Sequence, residues 1–361
     1  VQKLIMDTLR YWVTDYHVDG FRFDLASVFK MDADGVEKFK PPLLAAMEKD
    51  PVLKNTKLIA EPWSMTQYHI GQFSDVRWGE WNGKFRDTVR RFTKGDTGQL
   101  SELAQRISGS PDLYDRSKGR NSINFVTAHD GFTLYDLVSY NNKHNNANGE
   151  FSRDGSNDNF SWNHGHEGPV KNAPIAENQK VAIEQLRTQQ MKNMLSILFL
   201  SQGVPMYLAG DEMRRTVDGN NNAWNGDKLN QINPKLAAEN PDMVRFVSKL
   251  GELRQTSKIG ELTPQDIVWH GAEPFKPQHY DQNRFIAWEY KPTKVPTNPL
   301  YMAFNAYWEP IKVQLPPGPW SRLVDTTLPS GQDIVSPAKA VPVDNTYTIQ
   351  PRSGIVLQQN K

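Results

Sequence analysis

The feature that most constrains this chain is a change of hydrophobic period about two-thirds of the way along it. Up to about residue 260, short apolar runs with strand character alternate with segments of helical spacing. Val1, Leu4, Ile5, Leu9, Trp12 and Val13 fall on one helical face, which predicts an opening helix with that face buried. His17–Leu25 alternates as a strand does, Lys57–Ala60 is a short buried strand, and Val76–Trp81 is a weaker strand. Ser122–Thr127 and Val204–Ala209 complete five candidate strands. Leu43–Lys49, Lys84–Phe92, Gln99–Ile107, Glu177–Ser201 and Val244–Arg254 read as the intervening helices. This alternation implies an α/β fold, a parallel sheet wrapped by helices. From about Leu262 no helical period remains. Ile267–His270, Arg284–Tyr290, Leu300–Asn305, Ile311–Leu315, Trp320–Val324 and Tyr347–Leu357 are short β-like runs punctuated by Pro and Gly. Residues 262–361 are therefore expected to form a separate antiparallel β-domain after a 1–261 portion.

Several function classes drop out on composition. Lys plus Arg number 42 against 41 Asp plus Glu, so no global field draws in nucleic acid or an acidic membrane. With 0 Cys, disulfides, Cys-ligated zinc and Cys nucleophiles are excluded. The longest apolar stretch, Met194–Leu200, is broken by Ser196 and falls far short of a membrane span. No targeting segment is read, so the cytoplasm is the expected compartment, with a plastid stroma as the alternative. The 10 Trp, 12 Tyr and 16 Phe serve either core filling or the stacking of flat ligands such as sugar rings.

In parallel α/β folds functional side chains gather at the carboxyl ends of strands. Those positions hold Asp24, Glu61, His129, Asp130 and the pair Asp211/Glu212. Asp24 and Glu61 stand about one strand–helix unit apart, and Asp130 about two units further on. Two carboxyl groups facing one cleft suit glycoside hydrolysis, where one attacks the anomeric carbon as an anion and the other donates a proton. Arg22 shares a strand face with Asp24 and favours its carboxylate form. Glu61 follows the apolar Leu58-Ile59-Ala60, which raises a carboxyl pKa and suits a general acid.

These residues sit in longer motifs. DGFRFDLA (Asp19–Ala26), LIAEPW (Leu58–Trp63) and FVTAHDGFTL (Phe125–Leu134) resemble three of the four signature regions of the α-amylase superfamily, glycoside hydrolase family 13. Glu61-Pro62-Trp63, NNKHNNANGE (Asn141–Glu150), RDGSNDNFSWNHGHEG (Arg153–Gly168), GVPMYLAGDE (Gly203–Glu212) and GNNNAW (Gly219–Trp224) resemble its isoamylase and glycogen debranching branch. The resemblance implies a (β/α)8 TIM barrel followed by a β-sandwich, and retaining hydrolysis of α-1,6 branch links in glycogen, amylopectin or limit dextrins without a cofactor. It implies Asp24 as nucleophile, Glu61 as acid/base, and Asp130 and His129 on the sugar hydroxyls, with Arg22 orienting Asp24. Trp63 and Phe132 are candidates for glucose stacking or for wall packing. A non-catalytic glucan-binding subunit and an α-1,4-acting amylase or transferase are the alternatives, and a homo-oligomer is left open.

The family's first signature region, its early barrel strands and its N-terminal β-domain have no counterpart here. The expectation is a C-terminal portion of a longer enzyme, whose parallel sheet has open edges. The stretch Asn225–Pro241 also lacks the family's aspartate-rich, Trp-containing segment. Elsewhere, Asp154–Asp158 departs from a calcium loop at its later positions, and His164 and His166 lack zinc spacing and are expected in a solvated loop. The Asn-rich Ser139–Pro174 stretch is expected as a long loop, either a glucan-binding rim or a structural Ω-loop.

Overall fold

A computed structural model describes residues 1–360 apart from 33, 39–40, 74–76, 115–120, 226 and 279; Val76, the expected start of one strand, lies outside the described residues. The first unit is a five-stranded parallel sheet in chain order: β1 (Gly20–Phe23), β2 (Lys57–Ala60), β3 (Trp78–Asn82), β4 (Ser122–Phe125) and β5 (Val204–Met206). Each strand pairs with the next in sequence, as in an open segment of a (β/α) barrel. The helices are α1 (Gln2–Tyr16), α2 (Pro42–Lys49), α3 (Gly83–Lys94), α4 (Leu100–Ile107), the short α5 (Leu134–Leu137), α6 (Glu177–Leu200), the short α7 (Asp227–Asn230) and α8 (Lys235–Glu239), and α9 (Pro241–Thr256).

The predicted helices are all present, but α1 differs in burial. Met6 and Leu9 join Leu43, Leu44 and Met47 of α2 in a small core. Val1, Leu4 and Trp12, expected inside, are 98%, 71% and 42% exposed. The α3 start is fixed locally, since Asn82 accepts the Phe85 N–H at 2.9 Å as an N-cap.

The second unit carries a six-stranded antiparallel sheet in the order β11-β10-β13-β8-β7-β6, opposed by a two-stranded sheet, β12-β9. Its strands are β6 (Ile267–His270), β7 (Phe285–Tyr290), β8 (Leu300–Asn305), β9 (Ile311–Gln314), β10 (Trp320–Asp325), β11 (Val341–Val343), β12 (Thr346–Ile349) and β13 (Ser353–Gln359). The run expected as one strand, Tyr347–Leu357, breaks into β12 and β13 around Pro351 and Arg352, the latter in left-handed backbone at φ 51°. β7 and β8 are buried at every position. Phe285, Ala287, Tyr301 and Ala303 face the small sheet. Ile286, Trp288, Tyr290, Met302 and Phe304 face α3, α6 and α9, so one apolar core runs through both units. Buried Asp333 reinforces this junction by taking Lys192 of α6 at 2.7 Å and Arg245 of α9. Among the described residues, no helix is long and apolar enough to cross a membrane.

Candidate active site

Sheet register assembles the site. Phe23 pairs with Ala60, and Ala60 with Glu80. One residue further along each strand, Asp24, Glu61 and Trp81 therefore stand in a row across three neighbouring strands. Strands lie about 4.8 Å apart, so the row is compact. The Glu61 N–H donates to Phe23 O at 3.0 Å, extending the ladder to the site itself.

After Asp24 the chain turns through Leu25 in left-handed backbone (φ 42°, ψ 44°), a costly conformation for a branched side chain. The turn aims the Leu25 N–H at Glu61 Oε2, 2.7 Å away. The Ala26 N–H donates to Glu61 O at 3.0 Å.

Arg22 joins the two carboxyl groups. Its Nη1 lies 2.8 Å from Asp24 Oδ1 and its Nη2 2.9 Å from Glu61 Oε1. The environments of the two acids then diverge. The Asp24 side chain is 69% exposed, open to a ligand, and that of Glu61 is 3% exposed. Burial raises the Glu61 carboxyl above its ordinary value; the Leu25 N–H and Arg22 oppose this, and the negative charges of Asp24 and Asp130 add to it. Asp130 is therefore within electrostatic reach of Glu61. Burial thus favours the protonated form at Glu61, while Asp24 stands exposed beside the Arg22 cation.

The third carboxyl comes from the turn after β4. Arg90 of α3, buried, donates to Val126 O at 2.8 Å and Asn159 O at 3.1 Å. Asp211, after β5, accepts from the Leu134 N–H at 2.9 Å and from the Thr127 hydroxyl. The Gly131 N–H donates to Asn221 O at 3.0 Å. Between these anchors Asp130 and His129 are exposed, with His129 Nε2 3.7 Å from Asp130 Oδ1. Asp211, a strand-end candidate in the sequence, is thus a buried fixture whose carboxyl is pushed up to about 7 by burial. Glu212 turns back to accept the Gly210 N–H.

The aromatic candidates separate. Trp63 is partly exposed and packs on Tyr68 and Trp81, with ring centroids 6.1 and 6.5 Å away. Phe132 is 0% exposed and packs against Tyr140 at 6.2 Å. It presents no face to a sugar, which corrects its candidacy for stacking. The expected solvated setting of His164 is also corrected. It is buried, with Nδ1 2.7 Å from Val138 O, and it stacks on Trp162.

The Asn-rich segments form an internal network. Asn221 Nδ2 donates to Ser156 O at 2.7 Å and to Asn159 Oδ1 at 2.8 Å, and Asn221 Oδ1 accepts from Asn145 Nδ2 at 2.9 Å. Asp154 Oδ2 accepts from Asn148 and Asn222. A Cβ at Gly155 would collide with Asn221 Oδ1. These side chains are committed to one another and lock the 141–159 loop to the 219–222 turn that holds Gly131. Among the described residues no group of His, Cys, Asp and Glu could hold a metal ion.

Sequence reasoning passed over Trp81. The signal for it was the period of β3, which buries Trp78, Glu80 and Asn82 on one face and turns Gly79 and Trp81 to the other.

Residues 268–360 match a family model described as Isoamylase 1-3, C-terminal. Isoamylase 3, chloroplastic, of Oryza sativa subsp. japonica is 43% identical over 373 residues, covering 99% of this chain and 46% of the relative. Over nearly all of its own length the chain is similar to chloroplastic isoamylases. A glycogen operon protein GlgX homolog of Mycobacterium tuberculosis (strain ATCC 25618 / H37Rv) is 38% identical over 99% of this chain and 53% of its own length. The chain thus spans about half the length of these relatives. A pullulanase type I from Bacillus subtilis str. 168, solved with maltose, shares the fold at TM-score 0.71 and 18% identity, over 100% of this chain and 46% of that one.

Proposed function

We propose that this site hydrolyses α-1,6-glucosidic branch linkages in glycogen, amylopectin or limit dextrins by double displacement with retention. The observation that carries the reading is the single guanidinium of Arg22 holding exposed Asp24 and buried Glu61 side by side. Glu61, its carboxyl raised by burial, protonates the leaving oxygen. Asp24 attacks the anomeric carbon and forms a glucosyl ester. Water deprotonated by Glu61 then releases the sugar, and Asp24 returns as a carboxylate. Asp130 and His129 engage hydroxyls of the distorted sugar, and Trp63 offers the partly exposed ring for stacking.

The relatives named isoamylase support the α-1,6 linkage and branched glucan as the partner. Chloroplastic naming among them supports a plastid stroma beside the cytoplasm as the compartment. Residues 1–261 are the catalytic portion in this proposal, and 262–361 the C-terminal β-sandwich.

The test is release of reducing ends from amylopectin with product analysis. Linear α-1,4 chains and an iodine shift toward blue are expected, and Glu61→Gln lowers turnover by about 10²–10⁴. Short α-1,4 fragments would assign an amylase instead. Glucan binding without turnover would assign a non-catalytic subunit.

A further inference from the structure

We propose that Trp81 is a positioning residue: its indole face seats the Arg22 guanidinium so that one cation bridges Asp24 and Glu61. The inference rests on the hydrolase reading for its kinetic consequences, and its structural part stands apart from that reading. The Arg22 Cζ lies 4.2 Å from the centroid of the Trp81 ring, within cation–π range. Among the described residues Arg22 Nε is buried without a hydrogen-bond acceptor, and Nη2 reaches Glu61 at ion-pair distance without hydrogen-bond alignment. Hydrogen bonding alone therefore fixes the guanidinium at Nη1 only, through Asp24. The indole supplies the remaining constraint.

Register explains why β3 provides it. Arg22, Ile59 and Gly79 lie in one row, and Trp81 lies two residues above Gly79 on the same face. Gly79 projects no side chain in the Arg22 row. Trp81 is in turn held by Phe125 at 5.7 Å, Trp63 at 6.5 Å and the His129 ring at 5.6 Å. One indole thus links the cation of the Asp24/Glu61 pair to the His129-Asp130 turn.

The charged groups acting on Glu61 are Arg22 from β1, Asp24 from the turn after it, and Asp130 from the turn after β4; β3 contributes the neutral indole. If the guanidinium loses its seat, Glu61 loses cationic compensation and keeps the two anions. Its titration then moves further upward.

The experiment titrates Glu61 by ¹³C NMR of labelled glutamate carboxyls in the intact chain, with Glu61→Gln assigning the signal. Trp81→Leu is expected to raise the Glu61 midpoint, and Trp81→Phe, which keeps an aromatic face, to restore most of it. In the Arg22→Met background Trp81→Leu is expected to add nothing. On branched glucan, Trp81→Leu is expected to lower kcat about 3- to 30-fold, the size of a cation–π contact, and to move the alkaline limb of the pH profile upward. An unmoved Glu61 midpoint in Trp81→Leu overturns the proposal. So does a raised KM with an unmoved limb, which assigns Trp81 to sugar stacking. If Trp81→Leu does not fold, the Trp81→Phe midpoint and the Arg22→Met background decide, and a Trp81→Phe effect that persists without Arg22 overturns it. A wild-type chain inactive on glucan would sink the hydrolase reading and leave the NMR result standing.

Discussion

Replacing Glu80 by Gln should change how stability depends on pH, by an amount the structure sets. Glu80 sits on β3, one residue before Trp81 and on the opposite face. Its carboxylate accepts the Gly71 N–H at 2.5 Å and the Phe73 N–H at 3.2 Å, with the Tyr114 hydroxyl at 3.5 Å. It thereby ties down the loop that follows Glu61-Pro62-Trp63. Burial, only partly offset by those donors, pushes its carboxyl up to about 7 from 4.5. Between these values the folded chain binds more protons at Glu80 than the unfolded chain does. The Glu80 contribution is fully present below pH 4.5 and is lost as pH rises through about 7. At 1.36 kcal/mol per pH unit, the loss is ~3 kcal/mol. The neutral amide of Glu80→Gln does not titrate. The stability of wild type minus that of Glu80→Gln should therefore fall by ~3 kcal/mol between pH 4.5 and pH 8. Urea unfolding followed by Trp fluorescence, at several pH values across this range, measures the difference. A difference that stays flat with pH would show that Glu80 ionises as an ordinary surface carboxyl, and the burial argument would fail.

Two further substitutions probe the scaffold. Asp333→Ala strands Lys192 and Arg245 at the junction of the two units and should cost about 3–5 kcal/mol in urea unfolding, most of it recovered when Lys192→Met is added. Asn221→Ala removes the partner of Asn145, Ser156 and Asn159 in a buried network, so it should cost at least ~1–3 kcal/mol. Hydrogen exchange should also quicken at the Gly131 amide, because its acceptor is the Asn221 carbonyl.

The sequence by itself determined the strand–helix alternation, the β-only remainder and the acids at the strand ends. Those features are local. Period follows from side-chain direction in strands and helices, and the strand-end motifs are contiguous in the chain. Arg22 beside Asp24 was legible for the same reason, since residues two apart on a strand share a face.

Tertiary structure decided what depends on contacts distant in sequence. The β3 register set Trp81 against Arg22; the strand period puts Trp81 and the buried Trp78 on opposite faces, but only the sheet shows which face meets the guanidinium. Phe132 looked as available for stacking as Trp63, and only packing on Tyr140 showed it to be wall. The Asn-rich loop reads equally well as a ligand rim from sequence; in the fold Asn221 bonds Asn145 and Asn159 instead. β7 and β8, buried on both faces, carry no alternation to read, because α6 and α9 cover the face that an isolated antiparallel sheet leaves to water. A side chain's type and spacing are fixed along the chain, but its exposure and its charge neighbours are fixed by segments that only folding brings together.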